Sequence, residues 1–251
     1  MIHQRILTVA AYLTSVGCAV FGAPPGSTPD TIAIELAAGS VETFIVGTAE
    51  QAKPALLTGL HGYGMDASQI ATLVDIQPSF DHVYLAPQGF HELDDGTRAW
   101  FPIELSDGEI IIDPAAIETF LDRFEAYVDA ALEVTGADPE RVAIIGYSQG
   151  GAGAITLAAT RPNVARVFVG LAGSVLDDAT LHALTYDDAR DTPLFIGHGT
   201  LDVLVDLDTM RTDVDRLRQR GLDLTYREYA VPHVVSAAQR RDVTAWLEDR
   251  F

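Results

Sequence analysis

Residues Ile144–Ile155 read IIGYSQGGAGAI, with four glycines around a single serine, Ser148. An apolar run, Val142–Tyr147, leads into this stretch, and small residues lead out of it. Apolar run, Gly-x-Ser-x-Gly, small-residue run is the pattern of a strand that turns sharply into a helix with the serine at the corner. Such a corner strains the backbone and crowds its neighbours. Gly146 and Gly150 keep side chains out of the turn, and Gly151, Ala152 and Gly153 let the helix lie close to the sheet. Ser148 is then exposed above the sheet at the positive end of a helix. The blander alternative is a tight strand–helix turn with an incidental serine, and the rest of the chain decides between them.

The flanking sequence alternates strand and helix. TIAIEL and VETFIV bracket AAGS and predict a hairpin. Ala55–Leu60, His82–Pro87, Val142–Tyr147, Val164–Leu171 and Thr192–His198 are apolar runs of strand length. Asp113-Pro114 opens a helix, as N-cap and first helical residue. Ile117, Phe120, Leu121, Phe124, Val128, Ala131 and Leu132 give that helix an apolar stripe. Further helices are expected over 207–220 and 237–248, with a strand over 225–230 between them. Buried strands alternating with amphipathic helices imply an α/β fold: a mostly parallel central sheet with helices on both faces. Ligands in such folds bind beyond the C-terminal strand ends.

A serine hydroxyl needs a base to become a nucleophile. In chains built around such a turn, an acid and then a histidine follow the serine in sequence order. FIGHGTLDVLV places Asp202 just after one strand, and YAVPHVV places His233 just after the next. His233 would take the Ser148 proton, and Asp202 would orient the imidazole. Competing histidines have simpler roles: His198 precedes the acid and shapes its loop, and His182 sits among acidic residues facing solvent. Asp206 and Asp208 fall where the next helix begins, so they are read as capping residues. Leu60-His61-Gly62-Tyr63-Gly64 follows the Ala55–Leu60 strand. One oxyanion N–H is expected from this loop and one from the residue after the nucleophile. They are assigned to the backbone of Tyr63 and Gln149.

LHGYGMDASQI, GYSQGGAGAITLA, HGTLDVLV and the histidine before the last helix resemble the carboxylesterase/phospholipase family of α/β-hydrolases. That family includes acyl-protein thioesterases and lysophospholipases. Its nucleophile pattern, Gly-Phe-Ser-Gln-Gly-Gly-Ala-Met-Ala, differs here at Tyr147 and Gly153. GTRAWFPI resembles the family's Trp-Phe-Asp-Ile loop, with Pro102 in place of the aspartate, and Asp206 stands where the family usually has proline. The resemblance runs from about Ala55 to the C-terminus. It implies the α/β-hydrolase fold, Ser148, Asp202 and His233 as a triad, and ester or thioester hydrolysis without a cofactor. The segment from Pro87 to Asp113 is expected to cross the mouth of the site. In it Trp100 and Phe101 are candidates either for lining a pocket or for anchoring the loop in the core. No insertion is long enough for a large lid, which favours short-to-medium esters.

Composition narrows the partners. Of 251 residues 48% are hydrophobic and 21% charged, a globular balance. The net charge is −20, and only one of the sixteen basic residues is a lysine, Lys53. A field of that sign repels phosphate backbones and anionic membranes, so neither nucleic acid nor stable membrane association is expected. Acidic, lysine-poor composition suits a saline habitat, with genome composition as the alternative. Cys18 is the single cysteine, so one chain has no disulfide and no cysteine metal site. DVLVDLDTMRTDVD lacks the spacing of a calcium loop, and no metal is expected. Residues 1–22 read as a signal peptide or N-terminal extension ahead of one domain over 23–251, with export expected. The alternative is a cytoplasmic chain opening on a strand pair. The partner is a small-molecule ester, and the chain a monomer or homodimer.

Overall fold

Neighbouring side chains on a strand point to opposite faces, and the strands over Ala55–Leu60, Val142–Tyr147 and Val167–Leu171 are buried at every position, so both faces of their sheet are covered. The computed structural model describes residues 30–47, 49–106, 109–175 and 191–251. The N-terminal segment with Cys18, and His182, lie outside them.

The main elements are β1 (Thr31–Leu36), β2 (Gly39–Gly47), β3 (Ala55–Leu60), α1 (Ala67–Leu73), β4 (His82–Pro87), α2 (Pro114–Thr135), β5 (Val142–Tyr147), α3 (Gln149–Thr160), β6 (Val167–Leu171), β7 (Pro193–Gly199), α4 (Leu207–Gln219), β8 (Asp223–Tyr229) and α5 (Ala237–Glu248). The eight strands form one sheet in the order β1-β2-β4-β3-β5-β6-β7-β8. The β1–β2 and β2–β4 pairs are antiparallel. Every pair from β4–β3 to β7–β8 is parallel. Ser148 therefore lies at the end of a strand in the middle of the sheet.

Alternation along the strands splits the core in two. Leu56 and Leu60 of β3 and Ile144 of β5 join α2, α3 and α4 on one face. Leu57 and Ile145 join α1 and α5 on the other. The apolar stripe expected for α2 is buried except for Leu132, which is half-buried at its end, with Tyr127 added to it, and Asp113 caps the helix by accepting the Ala115 N–H.

Two strand starts and one helix differ from expectation. β6 begins at Val167, because Pro162–Val164 form a short 3₁₀ turn before it. β8 begins at Asp223, where pairing with Pro193 extends it. α1 escaped the periodicity because it has only seven residues; its sequence signal is the Asp66–Gln69 capping box. The segment after β4 folds into two short hairpins, His91–Glu92 with Arg98–Ala99 and Glu104–Ser106 with Glu109–Ile111.

Candidate active site

Ser148 has φ 54° and ψ −116°, a region that L-residues avoid. The neighbouring glycines make this conformation possible. A Cβ on Gly146 would collide with the Gly150 carbonyl, and a Cβ on Gly150 would collide with the Leu60 carbonyl. The Ser148 N–H is tied to the Leu171 carbonyl at 2.9 Å, which docks the turn onto β6. The strain is thus held in place by packing on both sides.

The structure brings Ser148, His233 and Asp202 together. His233 Nε2 lies 2.9 Å from Ser148 Oγ. His233 Nδ1 lies 2.7 Å from Asp202 Oδ2. A carboxylate only accepts, so the ring proton sits on Nδ1 and leaves Nε2 free to accept from the serine hydroxyl. Asp202 Oδ1 takes the N–H groups of Leu204 and Val205, at 2.9 and 3.0 Å. Burial pushes the Asp202 carboxyl up, but its bonds to His233, Val205 and Leu204 outweigh this and hold it below the usual carboxylate range.

Tyr147 donates its hydroxyl to the His233 carbonyl at 2.9 Å, so the residue before the serine also fixes the histidine loop. This hydroxyl is what tyrosine adds over the family's phenylalanine. His198 donates Nε2–H to the Val205 carbonyl at 3.0 Å and braces the loop that carries Asp202. Asp206 caps α4 through the Thr209 N–H, and Asp208 pairs with Arg211.

Gly62 packs against the serine, since a Cβ there would stand 3.3 Å from Ser148 Cβ. Tyr63 follows Gly62, and Gln149 opens α3. Among the described residues neither the Tyr63 nor the Gln149 N–H has an acceptor in the fold.

Trp100 and Phe101 are 0% and 1% exposed and anchor their loop in the core. Trp100 packs edge-on against Phe90, Phe120 and Phe124. Its Nε1–H donates to the His61 carbonyl at 2.8 Å. The Gln149 side chain secures the same loop. Its Oε1 accepts the Trp100 N–H at 2.9 Å, and its Nε2 donates to the Phe101 carbonyl at 2.7 Å. The sequence pointed to the Gln149 backbone alone; the side-chain clamp depends on a contact 49 residues away. Among the described residues, no group of three or more His, Cys, Asp or Glu side chains is placed to hold a metal ion.

Known proteins resemble this chain in sequence and in fold. The family model for Phospholipase/Carboxylesterase matches residues 41–249. Acyl-protein thioesterase 1 of Mycosarcoma maydis is 26% identical over 234 residues, 83% of this chain and 96% of that protein. Carboxylesterase SOBER1 of Arabidopsis thaliana is 24% identical over 157 residues, 61% of this chain and 68% of that protein. The crystal structure of esterase PE8 superposes with a TM-score of 0.72 at 22% identity, covering 84% of this chain and 99% of that one. The Bacillus cereus carboxylesterase does so with a TM-score of 0.71 at 20% identity, covering 84% and 95%.

Proposed function

The chain belongs to the phospholipase/carboxylesterase family of α/β-hydrolases, and from that premise we propose that it is a serine carboxylic-ester hydrolase working through an acyl-enzyme. The observation that carries this is the unbroken chain from Asp202 through His233 to Ser148 Oγ, with bonds of 2.7 and 2.9 Å. Ser148 Oγ attacks the ester carbonyl while His233 Nε2 takes its proton. The Tyr63 and Gln149 N–H groups hold the oxyanion, each worth about 3 kcal/mol of barrier. His233 then passes the proton to the leaving oxygen, and the alcohol departs. Water, activated by the same imidazole, releases the acid and restores the serine. Asp202 keeps the ring in its Nδ1–H tautomer and stabilises the transient imidazolium.

The substrate class proposed is uncharged esters of short-to-medium chain. The net charge of −20 works against anionic substrates. A second reading, S-acyl hydrolysis, is supported by the near full-length match to an acyl-protein thioesterase. The same residues serve both, because a thiolate leaves more readily than an alkoxide.

Initial rates on p-nitrophenyl esters of increasing acyl length, beside matched acyl thioesters, test the proposal. Activity on the shorter oxygen esters, lost in His233→Gln, is the expected result. A preference for thioesters would move the assignment to the second reading, and a preference for long acyl chains would overturn the chain-length class. Wild-type rates from His233→Gln would count against His233 as the base.

A further inference from the structure

His61 precedes the oxyanion loop, is fully buried, and has both ring nitrogens engaged. Its Nε2 lies 2.9 Å from the Gly89 backbone nitrogen, which can only donate. Nε2 is therefore the bare acceptor, and the ring proton sits on Nδ1. Nδ1 lies 2.8 Å from the Gly62 carbonyl, which can only accept. The two partners fix one tautomer. Burial above all drives the ring pKa down to about 4, so it stays neutral where esterases work.

The Gly62 carbonyl is one end of the peptide whose other end is the Tyr63 N–H. No cis peptide occurs among the described residues. In a trans peptide the C=O and the following N–H point in opposite directions. Pulling the carbonyl towards the His61 ring therefore turns the Tyr63 N–H the other way. The carbonyl also accepts the Met65 N–H, but at 3.2 Å, and that bond belongs to the turn itself. The His61 ring is the partner anchored outside the turn, through Gly89 and through stacking on Trp100 at 4.9 Å.

We propose that His61 is a positioning residue: its Nδ1–H grips the Gly62 carbonyl and so aims the Tyr63 N–H at the oxyanion that forms on Ser148. This rests on the proposal that Ser148 is the nucleophile and the Tyr63 N–H an oxyanion donor. It predicts that the two ring nitrogens do separable work. Nδ1 serves catalysis through Gly62, and Nε2 serves stability through Gly89.

Two substitutions separate them. In His61→Asn the short amide reaches the position of Nδ1 and donates to Gly62, while the Gly89 N–H is left unpaired. In His61→Gln the longer amide reaches the position of Nε2 and accepts from Gly89, while the Gly62 carbonyl loses its ring donor and keeps only the Met65 N–H. Each is compared with the wild type on one p-nitrophenyl ester, with kcat, KM and Tm measured. His61→Asn is expected to melt lower yet keep kcat within about threefold. His61→Gln is expected to melt higher than His61→Asn yet lose about 10- to 100-fold in kcat with KM little changed.

A His61→Gln enzyme with wild-type kcat, a loss confined to KM, or an Asn variant as slow as the Gln variant would overturn the inference. Should His61→Asn not fold, the kcat and KM of His61→Gln decide alone. Ser148→Ala in the same assay keeps the two claims apart. Wild-type rates from it overturn the serine-hydrolase reading and this inference with it. A silent Ser148→Ala beside an unimpaired His61→Gln overturns only the role given to His61.

Discussion

Asp202 is buried yet remains charged, because both its oxygens are occupied by hydrogen-bond donors. Replacing it with asparagine keeps the shape but allows the other imidazole tautomer. Asp202→Asn is therefore expected to lower kcat by about 10³- to 10⁴-fold, read in steady-state kinetics. His61 links the site to folding with a definite sign. Its pKa falls from 6.5 to about 4, so the unfolded chain binds the proton first on acidification. The wild type should then lose roughly 3 kcal/mol of stability between those two pH values from this residue alone. Urea titrations of wild type and His61→Gln at several pH values check it, the variant showing the shallower slope. The cluster of Ser148, His233 and Asp202 was legible in the sequence because each member follows a strand in the expected order. The burial of Trp100 and Phe101 was not, since an aromatic pair reads alike for a pocket wall and for a core anchor. The side-chain roles of Gln149 and His61 depend on partners distant in sequence, and no local pattern announces them.

Elements were legible wherever their apolar period was long. α2 shows its buried stripe in the sequence, and its N-cap stands out as Asp113-Pro114. Removing that cap in Asp113→Ala should cost about 1 kcal/mol in a denaturant titration. The junction of β5 and α3 is far less tolerant, because Gly150 lies directly against the Leu60 and His61 carbonyls. Gly150→Ala puts a methyl group where backbone atoms already stand, and no rotamer relieves it. A loss of about 3 kcal/mol or more, or no soluble protein, is the outcome expected by thermal melt. The two short hairpins after β4 were not legible. Each of their strands is only two or three residues long, too short for alternation to register. Strand order and register, too, arise from pairing across the sheet and not from any one segment.

At the scale of the molecule, sixteen basic residues face thirty-six acidic ones. Arg161 shows the imbalance locally: Glu118, Asp122 and Glu125 surround it at 2.8, 3.2 and 3.6 Å. Self-repulsion on this scale works against the compact state and is screened by salt. The Tm is accordingly expected to rise by roughly 5 °C between low ionic strength and about 0.5 M NaCl, followed by calorimetry. A neutral-surface hydrolase of this fold would show little change. The overall α/β architecture was legible because buried strands leave no polar face for water. The central claim remains that Ser148, activated by His233, is the nucleophile. Its most direct test is labelling with a fluorophosphonate, which phosphonylates only an activated serine, followed by mass mapping of the modified peptide. One adduct on Ser148, lost in His233→Gln, is the predicted result. An adduct on another serine, or none on folded wild-type protein, would contradict it.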